Sequence, residues 1–184
     1  MEQCILGKSG RLGKSKRNRS STPPMTRIAR VGSVEIYSGT WGDGALFIEC
    51  TLAGCNDIVM YIDLEEEYKH KVPEQFYSVS MVEVARQFTG QGLAPKVYRA
   101  IMRATGIKII SGAQQSKGGQ SIWRQLILAK GMRLLAYRHT TNIPRCLREV
   151  EPCEYTGDIK ADSINLWSDS DYNNWRLVAE YTGA

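Results

Sequence analysis

The stretch from Met81 to Ala94, reading Met-Val-Glu-Val-Ala-Arg-Gln-Phe-Thr-Gly-Gln-Gly-Leu-Ala, is the part of this sequence best equipped for chemistry. An apolar run ends at Val84, Gln87-Phe88-Thr89-Gly90-Gln91-Gly92 follows, and a helical pattern opens at Leu93. Gly90 and Gly92 let the main chain approach a ligand closely. The helix start adds unpaired N–H groups at the positive end of its dipole. Such a loop is an anion cradle. It lacks the Gly-Lys-Ser/Thr ending of a nucleotide-binding P-loop and the three-glycine spacing of a dinucleotide fingerprint, which disfavours ATP and NAD.

The other reactive residue types add little. Cys4, Cys50, Cys55, Cys146 and Cys153 are odd in number and form no CxxC pair, so neither a disulfide framework nor a metal site is expected. Cys50 and Cys55 read as small buried residues in or beside strands. His70 and His139, the two histidines, lie in no nucleophile motif.

The elements that position the loop follow from hydrophobic period. Ser33–Ser38, Ala45–Thr51 and Asp57–Asp63 are β-like runs rich in Val, Ile, Tyr and Phe. The glycine-bearing turns Trp41-Gly42-Asp43-Gly44 and Gly54-Cys55-Asn56 join them, which predicts an antiparallel meander. Leu64–Lys71 reads as a charged connection and Phe76–Val84 as a fourth strand. Leu93, Val97, Tyr98, Ile101 and Met102 recur at helical spacing, so a helix is expected over Leu93–Thr105 with Gly106 as its C-cap. Ile107–Ser111 reads as a strand, Ser121–Lys130 as a helix ending at Gly131, and Met132–Arg138 as a strand. Asn142–Lys160 reads as loop and Leu177–Tyr181 as a closing strand. Strands joined through a helix imply a parallel crossover, so one sheet should mix parallel and antiparallel pairs in an α+β domain.

Gln87–Gly92 resembles the Gln/Arg-x-x-Gly-x-Gly/Ala signature of the GNAT acetyltransferases, at the strand-to-helix junction where that family carries it. The order of elements around it, and Lys130-Gly131-Met132 leading into a strand, extend the resemblance over about Arg30–Arg138. It implies a mostly antiparallel mixed sheet, splayed at the cofactor loop near Val84 and flanked by helices. It implies acetyl-CoA as cosubstrate, with its pyrophosphate on the amides of Phe88, Thr89, Gly90, Gln91, Gly92, Leu93 and Ala94, beside Gln87. Main-chain groups of Val82 and Val84 would pair with the pantetheine arm. Thr89 stands where many members carry Arg, which removes a cation from the phosphate site. The Ile110–Leu126 stretch looks similar to compact acetyltransferase-like proteins of tailed phages.

Acetyl transfer to an amine needs a base and a proton donor for the leaving thiolate. Glu83 is the base candidate. Trp123 falls where many members place the acidic Tyr, and an indole is no useful acid. Ser111 and Ser116 are the candidates to hydrogen-bond the thiolate, although serines there also serve as turn residues and caps. Gln114, Gln115 and Trp123 are the substrate-loop candidates, with a plain connector or a core tryptophan as the alternatives.

Composition sets the frame. At 184 residues and 42% apolar, the chain fits one domain, expected over residues 25–184. Gly7–Pro24 is nearly free of apolar residues, so residues 1–24 are expected to form a disordered arm, or an extension upstream of a start at Met25. Met1–Arg30 holds eight Lys or Arg against one Glu, +7 of a total of +5, so the rest of the chain is slightly acidic. The expected partner is an amine-bearing acceptor: a small molecule, a protein amine or a modified nucleobase. The arm is a candidate contact for nucleic acid. No run approaches the length of a membrane span, so a soluble protein of the cytoplasm, the host's if phage-encoded, is expected. The competing reading is a non-catalytic protein of the same fold that binds nucleic acid or protein through the arm.

Overall fold

The computed structural model describes residues 23–55, 57–67, 76–112, 116–138, 153–158 and 175–183. Nine strands form one sheet: β1 Thr26–Val31, β2 Val34–Thr40, β3 Leu46–Leu52, β4 Ile58–Glu67, β5 Phe76–Val84, β6 Lys108–Ile110, β7 Met132–Arg138, β8 Cys153–Glu154 and β9 Trp175–Tyr181. Two α-helices, α1 Leu93–Thr105 and α2 Lys117–Ile127, and a 3-10 turn at Arg86–Phe88 complete the described elements. The sheet order is β1-β2-β3-β4-β5-β6-β9-β7-β8, antiparallel at every pair except β5 with β6.

The first five strands are a continuous meander, and α1 packs its apolar stripe of Val97, Tyr98, Ile101 and Met102 against Ile36, Ile48, Met60 and Ile62. Alternation sends the intervening residues to the other face. There Tyr37, Glu49, Tyr61 and Glu83 lie at register-paired positions across β2, β3, β4 and β5. On that face the Phe47 ring lies where a Cβ on Gly39 would be, 2.3 Å from its Cζ. Only glycine admits it. Phe47 then stacks toward Trp41 at 4.5 Å and Tyr61 at 6.4 Å between ring centroids.

Several bounds differ from those expected. The chain folds from β1, ahead of the first predicted strand. Arg27 and Arg30 alternate with half-buried Ile28 and Val31 on an edge strand, where charge is favoured. β4 runs through Glu67, into the segment read as a charged connection, because Leu64 is fully buried and Glu65–Glu67 pair with Phe76–Ser78. Pairing overrides charge there. α2 begins at Lys117, four residues before the expected Ser121, and stops at Ile127. β9 inserts between β6 and β7 instead of closing an edge. Cys55 is disulfide-bonded, against the expectation of a simple buried thiol. Cys50 is a free thiol in the core, its pKa pushed up to about 12 by burial.

Candidate functional site

The site is an opening in the sheet. β5 pairs with β6 only at Phe76–Ser78, yet continues to Val84. Beyond Ile110 the chain turns away, and the Ser111 amide donates to Leu177 O at 2.8 Å. From Val79 to Val84 one edge of β5 therefore faces no strand among the described residues. The Ala85 amide donates across to Val59 O at 2.8 Å. Hydrogen-bonding sides alternate along an antiparallel strand, so Glu83 shares the β4 side with Ala85, and Val82 and Val84 present their main-chain groups to the opening.

At the foot of this edge the chain makes a 3-10 turn over Arg86–Phe88 and then the glycine loop. Gly90 (φ 78°) and Gly92 (φ 68°) are both left-handed, and Gly92 is the N-cap of α1. A side chain at either position would be strained. The loop is braced internally: Phe88 N–H donates to Ala85 O at 2.8 Å, Thr89 N–H to Arg86 O at 3.2 Å and Gln91 N–H to Phe88 O at 3.4 Å. Thr89 Oγ1 donates to Ala85 O at 3.4 Å, and the Gln91 amide folds back on Gln87 O. This narrows the expected cradle, because the amides of Phe88, Thr89 and Gln91 are already used. Those of Gly90, Gly92, Leu93 and Ala94 have no acceptor among the described residues. Pro95 follows in the first turn, where its missing N–H costs nothing.

Two residues at the cradle were missed by sequence reading. Gln125 of α2 reaches over until its Oε1 stands 3.3 Å from where a Gly92 Cβ would be, with Nε2 held by Ser121 Oγ at 3.2 Å. Arg86 is an exposed cation in the turn, three residues before Thr89. The i, i+4 spacing of Ser121 and Gln125 was readable, but not their approach to α1.

Glu83 projects from the face opposite α1, next to the open edge. It is half-buried, and its Oε2 is buried without a hydrogen-bond partner among the described residues. Beside it Tyr61, 3% exposed, donates to buried Asp63. Ser111 is also buried, but its Oγ accepts the Leu177 amide at 3.1 Å, so the hydroxyl ties β6 to β9 while its proton stays available to donate. Ser116 is exposed and caps α2, accepting from Gly119 N–H at 3.2 Å. This is the cap role, and it corrects the candidate thiolate contact. Trp123 is 4% exposed within the main core, which corrects its candidacy as a substrate platform. Gln114 and Gln115 lie outside the described residues. The rest of the glycine-rich stretch forms the first turn of α2. Among the described residues no group of His, Cys, Asp and Glu could hold a metal, and no helix is long and apolar enough to cross a membrane.

No family model matches the chain, and no curated protein matches it significantly. Structural comparison returns the crystal structure of a candidate phosphinothricin N-acetyltransferase. It is matched over 85% of this chain and 76% of that one, at 11% identity and a TM-score of 0.34. That score describes a partial likeness in chain course and says nothing of chemistry. The functional reading rests on the loop and the open strand edge.

Proposed function

We propose that the chain is an acetyl-CoA-dependent N-acyltransferase that moves an acetyl group to a primary amine. One juxtaposition carries this reading: the unpaired amides of Gly90, Gly92, Leu93 and Ala94 lie at the foot of an unpaired strand edge at Val82 and Val84. A ligand that satisfies both is elongated, with a pyrophosphate at one end and an amide-bearing arm along the other. Acetyl-CoA has this form and supplies an acetyl thioester.

The chain's own residues then have distinct tasks. The four amides hold the pyrophosphate, with Arg86 in reach of the cation role that Thr89 does not fill. Val82 and Val84 pair with the arm as a neighbouring strand would and so fix its register along β5. Glu83, adjacent to both in sequence and on the face away from α1, accepts the proton of the amine nucleophile directly or through one water. Ser111 donates its hydroxyl proton toward the leaving thiolate while Leu177 N–H fixes its oxygen. Trp123 is buried in the core, and the sequence of α2 carries no tyrosine for that step.

Amide hydrogen exchange tests the reading. Acetyl-CoA should slow exchange at Gly90–Ala94 and at Val82 and Val84 together. Protection of the loop alone would reduce the site to a generic anion cradle, and protection of neither would end the proposal.

A further inference from the structure

A basic groove lies on the outer side of α1. The outer face of that helix and the edge strand β1 enclose an open groove of about 480 Å³, floored by Ile28, Val31, Ala100 and Ala104 and walled by Arg30, Lys96, Arg99 and Arg103. All four cations are exposed, and no acidic residue lines the groove. Arg30 lies opposite Glu35 on the neighbouring strand and its Nε donates to Gly32 O at 2.9 Å. The helix cations meet neutral groups: Arg99 Nη1 donates to Lys130 O at 3.4 Å, and the Arg103 guanidinium lies 5.9 Å over the Tyr181 ring. None of Lys96, Arg99 and Arg103 pairs with a carboxylate among the described residues. Glu35 takes Arg27 and faces Arg30 across the β1–β2 ladder, and Glu180 takes Lys108 and Arg133, so the uncompensated positive charge of the groove is that of its helix wall, Lys96, Arg99 and Arg103.

We infer that this groove binds the phosphate backbone of a nucleic acid. Lys96, Arg99 and Arg103 recur on one helical face and span roughly 10 Å along the axis, too far for one phosphate and about the rise of three phosphate-to-phosphate steps of a strand. The walls carry no aromatic ring on which a base could stack, so recognition is of backbone charge and is independent of sequence. A membrane surface fits less well. The site is concave, and the apolar stripe of α1 is buried in the core. Leu128, the large apolar side chain exposed among the described residues, belongs to the turn after α2 and not to the groove. Six further Lys or Arg precede β1 in the sequence, covalently joined to the strand that forms one wall.

The test uses the full chain and a fluorescein-labelled 20-base-pair duplex, with anisotropy followed as a function of salt. In a background where the Lys and Arg of residues 1–24 are changed to Ser, binding should persist. Adding K96E, R99E and R103E should then weaken it at least tenfold and lower the slope of log affinity on log salt by about 2.7, for three lost phosphate contacts. K96Q, R99Q and R103Q serve if the reversed charges disturb folding, and R99K in place of the Arg99 change should restore part of the slope. Unchanged affinity and slope in both triple variants would overturn the inference. So would loss of all binding in the Ser background, displacement of the duplex by acetyl-CoA, or preference for vesicles of anionic lipid over the duplex.

Discussion

Gly92 holds a left-handed conformation at the N-cap of α1 with Gln125 Oε1 at its back, so a substitution there acts through both backbone and ligand. Gly92→Ala should destabilise the chain by about 1–2 kcal/mol through the positive φ alone. The neighbouring group is the end of a flexible side chain and can move aside. Gly92→Glu adds bulk and negative charge where the pyrophosphate is proposed to sit. It should remain folded, at a somewhat lower melting temperature, and show no heat of acetyl-CoA binding by calorimetry; unchanged affinity in the folded variant would remove the cradle from the account. Glu83→Gln keeps the size of the side chain and deletes its basicity. Steady-state kinetics with a primary amine should show kcat reduced about 10²- to 10⁴-fold, with the acetyl-CoA Kd unaltered. A variant as active as the parent would assign the proton to another group.

The element that binds the two halves of the sheet is β9, and within it Glu180. This buried carboxylate takes Lys108 of β6 at 2.7 Å and Arg133 of β7. Burial pushes the Glu180 carboxyl up, but hydrogen bonds from Lys108 and Arg133 outweigh it and hold the pKa below the usual value of 4.5. A depressed native pKa contributes stability that is fully present above the unfolded value and is lost as the pH falls through the native one. Glu180→Gln should therefore cost about 2 kcal/mol at neutral pH and flatten the fall in stability below pH 4.5. Most of that comes from Lys108, because Arg133 is half exposed and screened. Urea midpoints at pH 7 and pH 3.5 check both. None of this was visible from Glu180 alone. By contrast, α1 was legible to its last residue, since a periodic apolar stripe and a glycine cap are local signals. β1 and the end of β4 were hidden because edge pairing tolerates charge, and the start of α2 because Lys117-Gly118-Gly119-Gln120 has poor helix propensity and is held by the Ser116 cap. Of the site, the glycine loop and Val82, Glu83 and Val84 came from sequence. The used amides, Gln125 and the tie between Ser111 and Leu177 required the fold.

At the scale of the molecule, α1 carries both proposed anion sites: the cofactor cradle at its first turn and the basic groove along its outer face. The two are charged alike but use different groups, main-chain amides in one and long side chains in the other. Residues 1–24 are expected to add charge without adding core, so a chain starting at Met25 should melt at the full-length temperature and respond equally to acetyl-CoA. A large fall in melting temperature would make that segment structural and move the domain boundary.

The most direct measurement of the central claim is a melting curve of the full chain with acetyl-CoA at rising concentration, beside the Gly92→Glu variant. Binding to the native state alone raises stability by about 2.7 kcal/mol at a hundredfold excess over Kd. For a chain of this size that is a rise of roughly 5–10 °C. The account predicts a rise of this size in the parent that keeps growing with the logarithm of concentration above Kd, and none in Gly92→Glu. No rise at millimolar acetyl-CoA, or an equal rise in both proteins, would contradict it.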